Sequence, residues 1–560
     1  MDRSEVQAIL AKIEQQLAGL GILDPVVEQA VEELLNLVER LVSGQQALAQ
    51  EVQRLKEQLE QKKKGKTTGQ DDGPKQKPDH SSEKHRRERD KPKTSPATDR
   101  RTFKDLTIHE TIECPVDPAT LPPDAVRVED EEVIVQDIEI KPRNIRFERH
   151  VHYSAAEKKF FRGPLPSGYD MGDFGSDLRA LILSLKYCGN MSEPKIREFL
   201  ENFEVQISAG SVSNILTNTA QSFGDEFHDL FMAGLASTPY QQTDDTSARV
   251  AGKFWHTHIV CNPYYTAFFT RPHKDRLTVL SVLQNTTSPR FRFNAKTLEL
   301  LEPYEIPKKW QRRVAALGED LEYDSQACRV LLDDWFGAGR ISPARTQIEQ
   351  AAATVYYQQQ TAVPIVQTLV CDDAGQFKSI TDRLALGWIQ AGRHYEKLSP
   401  VVSRHAKSLD AFREKFWDYY AALQRYRDGP TDTLAETLRK EFDDLFSTRT
   451  GYDALDDRIT KTAAKKDELL TVLVCPEVPL HNNASELGAR ISARRRDVSL
   501  HSKSERGARA MDIFTTIVQT SKKLGVSAYQ YFCDRLSRRF EMPSLANHLR
   551  NAALSTNASG

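Results

Sequence analysis

The chain has 560 residues and a mass of 63.5 kDa, roughly three to four times a typical domain, which excludes a single small module and leaves ample length for a core. An apolar fraction of 39% with a mean hydropathy of -0.54 excludes wholesale disorder while leaving room for a polar, unfolded stretch. Lys+Arg 77 against Asp+Glu 79 gives a net charge of -2, so any nucleic-acid surface must come from how charge is distributed and not from its sum.

Cys114, Cys188, Cys261, Cys328, Cys371, Cys475 and Cys533 stand far apart, and none has the two-residue spacing of a zinc knuckle or a redox pair, which reads as a reduced, intracellular chain. The amino terminus MDRSEVQAILAKIEQQL interrupts its apolar residues with acids and glutamines. No run approaches the roughly eighteen apolar residues of a membrane span, so a soluble protein is expected.

Val31, Leu34, Val38, Leu41, Leu48, Val52, Leu55 and Leu59 fall at alternating steps of three and four, with polar Gln45 in register. The pattern predicts a helical segment over 1–60 whose residues 27–59 join copies of the chain as a short coiled coil; an amphipathic helix docked on the protein's own core is the alternative. Residues 61–102 carry 14 Lys/Arg against 7 Asp/Glu and almost nothing apolar. This reads as a disordered basic linker, able to lie along phosphates or simply solvated. Residues 103–170 read as a small β module with alternating strands at 132–140 and 145–153.

Residues 171–235 read as helical. MSEPKIREFLENF and SAGSVSNILTNTA form two short helices with Ser192 and Ser208 as N-caps. Ser211, Ser213 and Asn214 stand near the start of the second, which suits a helix-turn-helix that contacts DNA, although plain helical packing gives the same pattern. From 236 to 400 the chain turns strand-rich: FWHTHIVC and YYTAFFTR are split by Asn262-Pro263, and PIVQTLVC at 364–371 follows a helical insertion at about 285–363. Residues 401–477 are helical, with Leu409, Phe412, Phe416, Tyr419 and Leu423 on one face that stops at Gly429-Pro430. Residues 478–560 open with a helix at 482–496 started by an Asn cap.

Enzymes that cut polynucleotides with two metal ions need two or three carboxylates held on rigid elements around the ions. Asp244 heads the first strand block, Asp372 directly follows PIVQTLVC, and Glu486 lies on the late helix. A strand terminus opens into the crevice where ligands bind. Solvation or helix capping accounts for other acids of this kind, and the chain contains six Asp-Asp pairs.

The blocks around these acids resemble the large transposases of the insertion sequence sixty-six family, which carry a ribonuclease-H-like DDE core. Asp244-Asp245-Thr246 with Arg249-Val250 and Trp255 is similar to the first block, and Cys371-Asp372-Asp373-Ala374-Gly375-Gln376-Phe377 to the second. Asn482-Asn483-Ala484-Ser485-Glu486 with Arg490, Arg494 and Ser504-Glu505-Arg506-Gly507 is similar to the third, and Thr520–Phe532 continues the likeness. The resemblance implies a multidomain α/β protein with an interrupted ribonuclease-H-like core and a catalytic triad of Asp244, Asp372 and Glu486 that also binds Mg²⁺ or Mn²⁺.

It further implies DNA strand cleavage and strand transfer at element ends and target DNA, with element-encoded accessory proteins as further partners, in a cytoplasmic, nucleoid-associated setting and with no membrane partner. Arg490 and Arg494 follow Glu486 by four and eight residues, on one helical face, where they could clamp phosphate or pair with Glu486 itself. Lys308, Lys309, Arg312 and Arg313 of the insertion are further DNA-binding candidates. Two features depart from the family: Cys114 stands without the paired cysteines of a zinc module, so no zinc is expected, and Gly387-Trp388-Ile389-Gln390 replaces a Cys-Trp-x-His block while Arg393 and Tyr395 persist. A catalytically decayed, DNA-binding regulator and a nuclease without strand transfer are the alternatives.

Overall fold

The computed structural model describes residues 3–18, 24–64, 107–117, 120–122, 125–126, 131–170, 172–317 and 321–557. Of the basic segment 61–102, residues 61–64 continue the amino-terminal helix instead of being disordered, and 65–102 lie outside the described residues. Backbone contacts divide the chain into a smaller unit, residues 72–146 with 199–206, and a larger one comprising the rest.

In the smaller unit, residues 131–146 form neither helix nor strand. The alternation expected to make a strand at 132–140 leaves Val133, Val135 and Ile138 exposed. A strand of this kind forms only where another strand pairs with it and a second layer covers its apolar side.

The larger unit begins its strands with a short hairpin, β1 (Val151–Ser154) and β2 (Lys159–Arg162). Three helices follow at Ser176–Tyr187, Glu193–Glu201 and Ala209–Asn218. The last is capped as its sequence predicts, Ser208 accepting the Ser211 N–H.

The central sheet starts at β3 (Tyr240–Val250), β4 (Lys253–Cys261) and β5 (Thr266–Arg271), all antiparallel. Ala251 and Gly252 make the first hairpin turn with φ of 49° and 77°. Two successive left-handed residues match the twist of paired strands. At the second turn Asn262 is buried; its side chain donates to the Gly234 carbonyl and accepts the Tyr264 N–H. Residues 272–367 then leave the sheet as helices with a two-stranded ribbon, β6 (Phe291–Phe293) and β7 (Leu321–Tyr323). The chain returns as β8 (Thr368–Cys371) and β9 (Arg383–Leu386), parallel to β3. The order is β5-β4-β3-β8-β9, a mixed sheet in an otherwise largely helical α/β protein.

Two helices fix this sheet. Helix Glu505–Lys523 covers the edge strand β5, where Thr520, Thr516 and Asp512 accept the N–H groups of Thr266, Phe268 and Thr270 in turn. Four helical residues rise about 6 Å and two strand residues about 6.8 Å, so a helix with acceptors every fourth residue can follow a strand edge and satisfy its unpaired donors. Helix Asn483–Ser499 lies on β3 and β4, with Ala484, Ala489 and Ile491 against Ile259, Cys261 and Phe268. Gly488 permits this approach, because a Cβ there would stand 2.8 Å from Ile259 Cγ2.

Helices Trp388–Glu396, Ser403–Asp428, Asp432–Phe446 and Asp453–Ala463 enclose a separate aromatic core. Trp388 lies at its centre, fully buried, with Nε1 donating to the Leu469 carbonyl. The long amino-terminal helix, Pro25–Lys64, sits on this body by its first half. Leu35, with Val31, Val38 and Val42, packs on Val401 and Val402, and Glu39 accepts the N–H groups of both valines. Leu34, Leu41, Leu48, Val52, Leu55 and Leu59 of the same helix are exposed. Among the described residues, no helix is long and apolar enough to cross a membrane.

Candidate active site

Strand register brings the first two acids together. Gln242 of β3 stands opposite Val370 of β8 at the end of their parallel pairing, and Asp244 and Asp372 each follow two residues further on, Asp372 just past the end of β8. Directly opposed residues share a sheet face. Asp244 opposes Ile259 of β4, the residue against which Gly488 packs, so Asp244 belongs to the face that carries the Glu486 helix. Asp245, one residue on, opposes His258 and takes the other face, where Lys274 and Gln376 reach its carboxylate at 3.4 and 3.3 Å. The Asp-Asp doublet thus divides between the two sides of the sheet.

Electrostatics put Asp244 within reach of the other acids. Burial pushes the Asp244 carboxyl up to about 7, with the negative charges of Asp372, Asp245 and Glu486 adding to it and a hydrogen bond from the Asp245 N–H opposing it. Asp372 is raised as well, chiefly by burial and against a hydrogen bond from the Ala374 N–H, with Asp245 contributing. Its neighbour Asp373 is held by Lys465 and Lys378.

Glu486 sits in the first turn of its helix, where the dipole favours an acid. Its carboxylate lies 3.4 Å from Arg393 Nη1, on helix Trp388–Glu396, and the Arg393 Nη2 is buried without a hydrogen-bond partner among the described residues. Asn482 is the N-cap by position, but its side chain makes no cap hydrogen bond. It is buried instead, and its Nδ2 also lacks a partner among the described residues. The Asn cap read from the sequence is therefore corrected: the side chain turns into the body, toward Gly387.

The arginines of this helix divide by role. Arg490 is half-buried and Arg494 exposed. Arg495 donates to the Tyr187 carbonyl and to Thr515, and Arg496 to Ser247 and Thr246. The last two, which sequence reasoning passed over, fasten the helix to its neighbours. Arg393 was visible as a persisting residue of its block, without a role; only the fold shows that it meets Glu486.

Ser211, Ser213 and Asn214 stand on a different helix, Ala209–Asn218, whose Val212, Ile215 and Leu216 are buried; Ser211 is spent partly on the cap with Ser208. Lys308, Lys309, Arg312 and Arg313 lie exposed on helix Lys308–Ala315. Trp255 is half-buried on β4.

The donor set at the acids is oxygen only, as Mg²⁺ or Mn²⁺ prefers, and two half-buried carboxylates that partial burial raises, Asp244 raised further by the charge of Asp372, are a site that a cation would relieve. Glu486, however, is engaged by Arg393. Among the described residues no group of three or more His, Cys, Asp and Glu side chains is gathered closely enough to hold an ion. Asp244 lies in the field of Asp372 and Glu486, while one Glu486 oxygen is paired with Arg393.

Residues 393–510 match the family model described as the IS66 family of transposases. The matched segment opens at Arg393 and contains Glu486, Arg490 and Arg494, while Asp244 and Asp372 lie before it. The chain is also 34% identical over 322 residues to an uncharacterized protein, y4jO, of Sinorhizobium fredii, an alignment that covers 54% of this chain and 94% of the relative.

Proposed function

The chain belongs to the IS66 family of transposases, and from that premise we propose that it binds the ends of a mobile element and catalyses DNA strand cleavage and strand transfer, with Asp244, Asp372 and Glu486 as the catalytic acids. The observation that supports the reading best is that Asp244, on the sheet face occupied by the Glu486 helix, lies in the field of both Asp372 and Glu486. A central strand with two antiparallel neighbours on one side and two parallel ones on the other, bearing the first acid, supports a ribonuclease-H-like core.

Asp244, Asp372 and Glu486 would hold the divalent ions; bound there, Mg²⁺ or Mn²⁺ supplies charge to the scissile phosphate and lowers the pKa of a water or a DNA 3′-hydroxyl. The protein's own contribution is orientation. Arg393 holds Glu486 until DNA enters, and its second guanidinium nitrogen, buried and unsatisfied, suits a phosphate oxygen. Arg490 and Arg494 continue that basic line along the helix. Ser211, Ser213 and Asn214 contact DNA from a helix-turn-helix, and the exposed leucines within residues 27–59 join copies of the chain.

Asp372→Asn is expected to leave folding and DNA-end binding intact and to abolish nicking in Mg²⁺. Undiminished nicking by that variant removes the triad. The Arg393–Glu486 pair favours a second reading, a DNA-binding regulator without catalysis; titrating Mg²⁺ against wild-type protein and a DNA-end substrate separates the two, because a regulator binds the ends and releases no nicked product.

A further inference from the structure

Outside the acid cluster, helix Lys308–Ala315 (KKWQRRVA) carries four cations and no acid. Lys308 and Lys309 occupy its first turn, after Pro307 and without a side-chain cap, where the helix dipole disfavours positive charge. Only Arg312 and Arg313, in the last turn, gain from the dipole. Val314 is the buried residue of the helix, and all four cations are exposed. A local rule broken at the surface, with nothing in the helix to offset it, points to a partner for the charge.

The aromatics beside these cations indicate which partner. Trp310 stacks on Phe336, at the end of helix Ser325–Phe336, with ring centroids 4.0 Å apart and 29° between planes. Lys309 Nζ lies 4.4 Å from the Trp310 ring centroid. The Arg313 guanidinium lies 5.4 Å from Trp310 and 5.9 Å from Trp335. Trp310, Trp335 and Phe336 are all half-buried, so aromatic surface and cations meet solvent together. Phosphates of a duplex would use the cations and leave the indoles idle, since paired bases keep their faces stacked on one another. An unpaired strand uses both: its bases stack on aromatic rings while Lys and Arg track its backbone.

We infer that Trp310, Trp335 and Phe336, flanked by Lys309 and Arg313, form a stacking platform for a single-stranded DNA segment. Lys309 and Arg313 exchange the ring faces for phosphates, and a base takes the place of the cation over Trp310. The inference rests on the DNA-processing reading above and deepens it, adding unpaired DNA to the forms of substrate the protein holds.

The test is binding of the full chain, in EDTA so that no strand is cut, to a fluorescent oligo(dT) of about twenty nucleotides and to a duplex of the same length. Trp310→Leu is expected to weaken oligo(dT) binding by about 5- to 100-fold and to leave duplex affinity within about twofold. Trp335→Leu, which spares the Trp310–Phe336 stack, gives the same selective loss and serves should Trp310→Leu fail to fold. The Lys309→Gln/Arg313→Gln double variant weakens both ligands and flattens the dependence of log K on log salt by roughly one to two in slope. Equal losses on oligo(dT) and duplex in the tryptophan variants, no loss on oligo(dT), no binding of oligo(dT) by wild type, or displacement by poly-glutamate as effective as by unlabelled oligo(dT) each overturn the platform. Selective loss in a protein whose wild type never nicks DNA keeps the platform and removes the cutting reading. Nicking by wild type with no effect of either tryptophan variant on oligo(dT) does the reverse.

Discussion

Asp512 shows how much a single side chain can carry without touching the chemistry. It is fully buried, and both its oxygens accept from Thr270, one from the backbone N–H and one from the hydroxyl, each at 2.7 Å. Burial nevertheless pushes its carboxyl up to about 6, against those hydrogen bonds and the nearby Arg271 and Arg509. Because the folded value lies above the ordinary 3.8, the stability tied to its proton is fully present below about pH 4 and lost as pH rises through about 6. Asp512→Asn keeps one acceptor and abolishes the titration. The difference in urea-unfolding free energy between the two proteins is therefore expected to move in the variant's favour between pH 4 and pH 7, by on the order of 3 kcal/mol; a difference that stays flat across that window contradicts the assignment. Nothing in the sequence marked Asp512, because an acid inside an apolar helix is read as a surface residue. Asp372 was visible for the opposite reason: it follows a strongly β-prone run, and its position after a strand has meaning before any fold is known.

At the scale of elements, three local signals formed as read. Asn262-Pro263 turns β4 into β5, Ser208 caps its helix, and helix Ser403–Asp428 stops at Gly429, since each signal acts within a turn or two of itself. The alternation at 132–140 failed as a strand because pairing is a property of two segments, and Asn482 failed as a side-chain cap because the body offered it a buried position. Gly488 is the element-scale contact most open to test. A Cβ at this position meets Ile259 Cγ2 at 2.8 Å, and the β-branched neighbour cannot swing aside. Gly488→Ala is expected to cost about 1–3 kcal/mol by forcing the Glu486 helix off the sheet, and to lower nicking with it. Ile259→Ala beside it removes the γ carbons that the new methyl would meet, so the loss in the double variant should fall measurably short of the sum of the two single losses in a double-mutant cycle of chemical unfolding. Additive losses would place the helix elsewhere.

For the molecule as a whole, the amino-terminal helix divides its surface between two duties that one heptad pattern conceals. The three-four repeat counts Val31 and Val38 with Leu41, Leu48 and Leu55 as one seam, yet Val31 and Val38 pack beside Leu35 on Val401 and Val402 while the leucines stay exposed. Periodicity alone could not show this, because the docking is fixed by polar residues: Asn36 bridges the Gly451 carbonyl and the Asp453 N–H, and Glu39 receives Val401, Val402 and His405. Burial by itself would raise the Glu39 carboxyl, but hydrogen bonds from His405, Val402 and Val401 hold it below the ordinary 4.5. The stability it lends is present above that value and is lost as pH falls through the folded one. Glu39→Ala leaves two backbone donors at the start of helix Ser403–Asp428 without their acceptor, at a cost of about 1–3 kcal/mol. Hydrogen exchange at 401–405 is expected to accelerate accordingly, with the oligomeric state unchanged. Leu48→Glu with Leu55→Glu should do the converse, because two acids on an apolar seam disfavour any helical partner without reaching the docked half. In sedimentation that variant is expected to run as a smaller species than wild type, while protection at 401–405 persists. If both variants shift the assembly state together, the docked and exposed faces act as one surface and the division fails. If Leu48→Glu with Leu55→Glu leaves sedimentation unaltered, the exposed leucines have some partner other than a second copy of the chain.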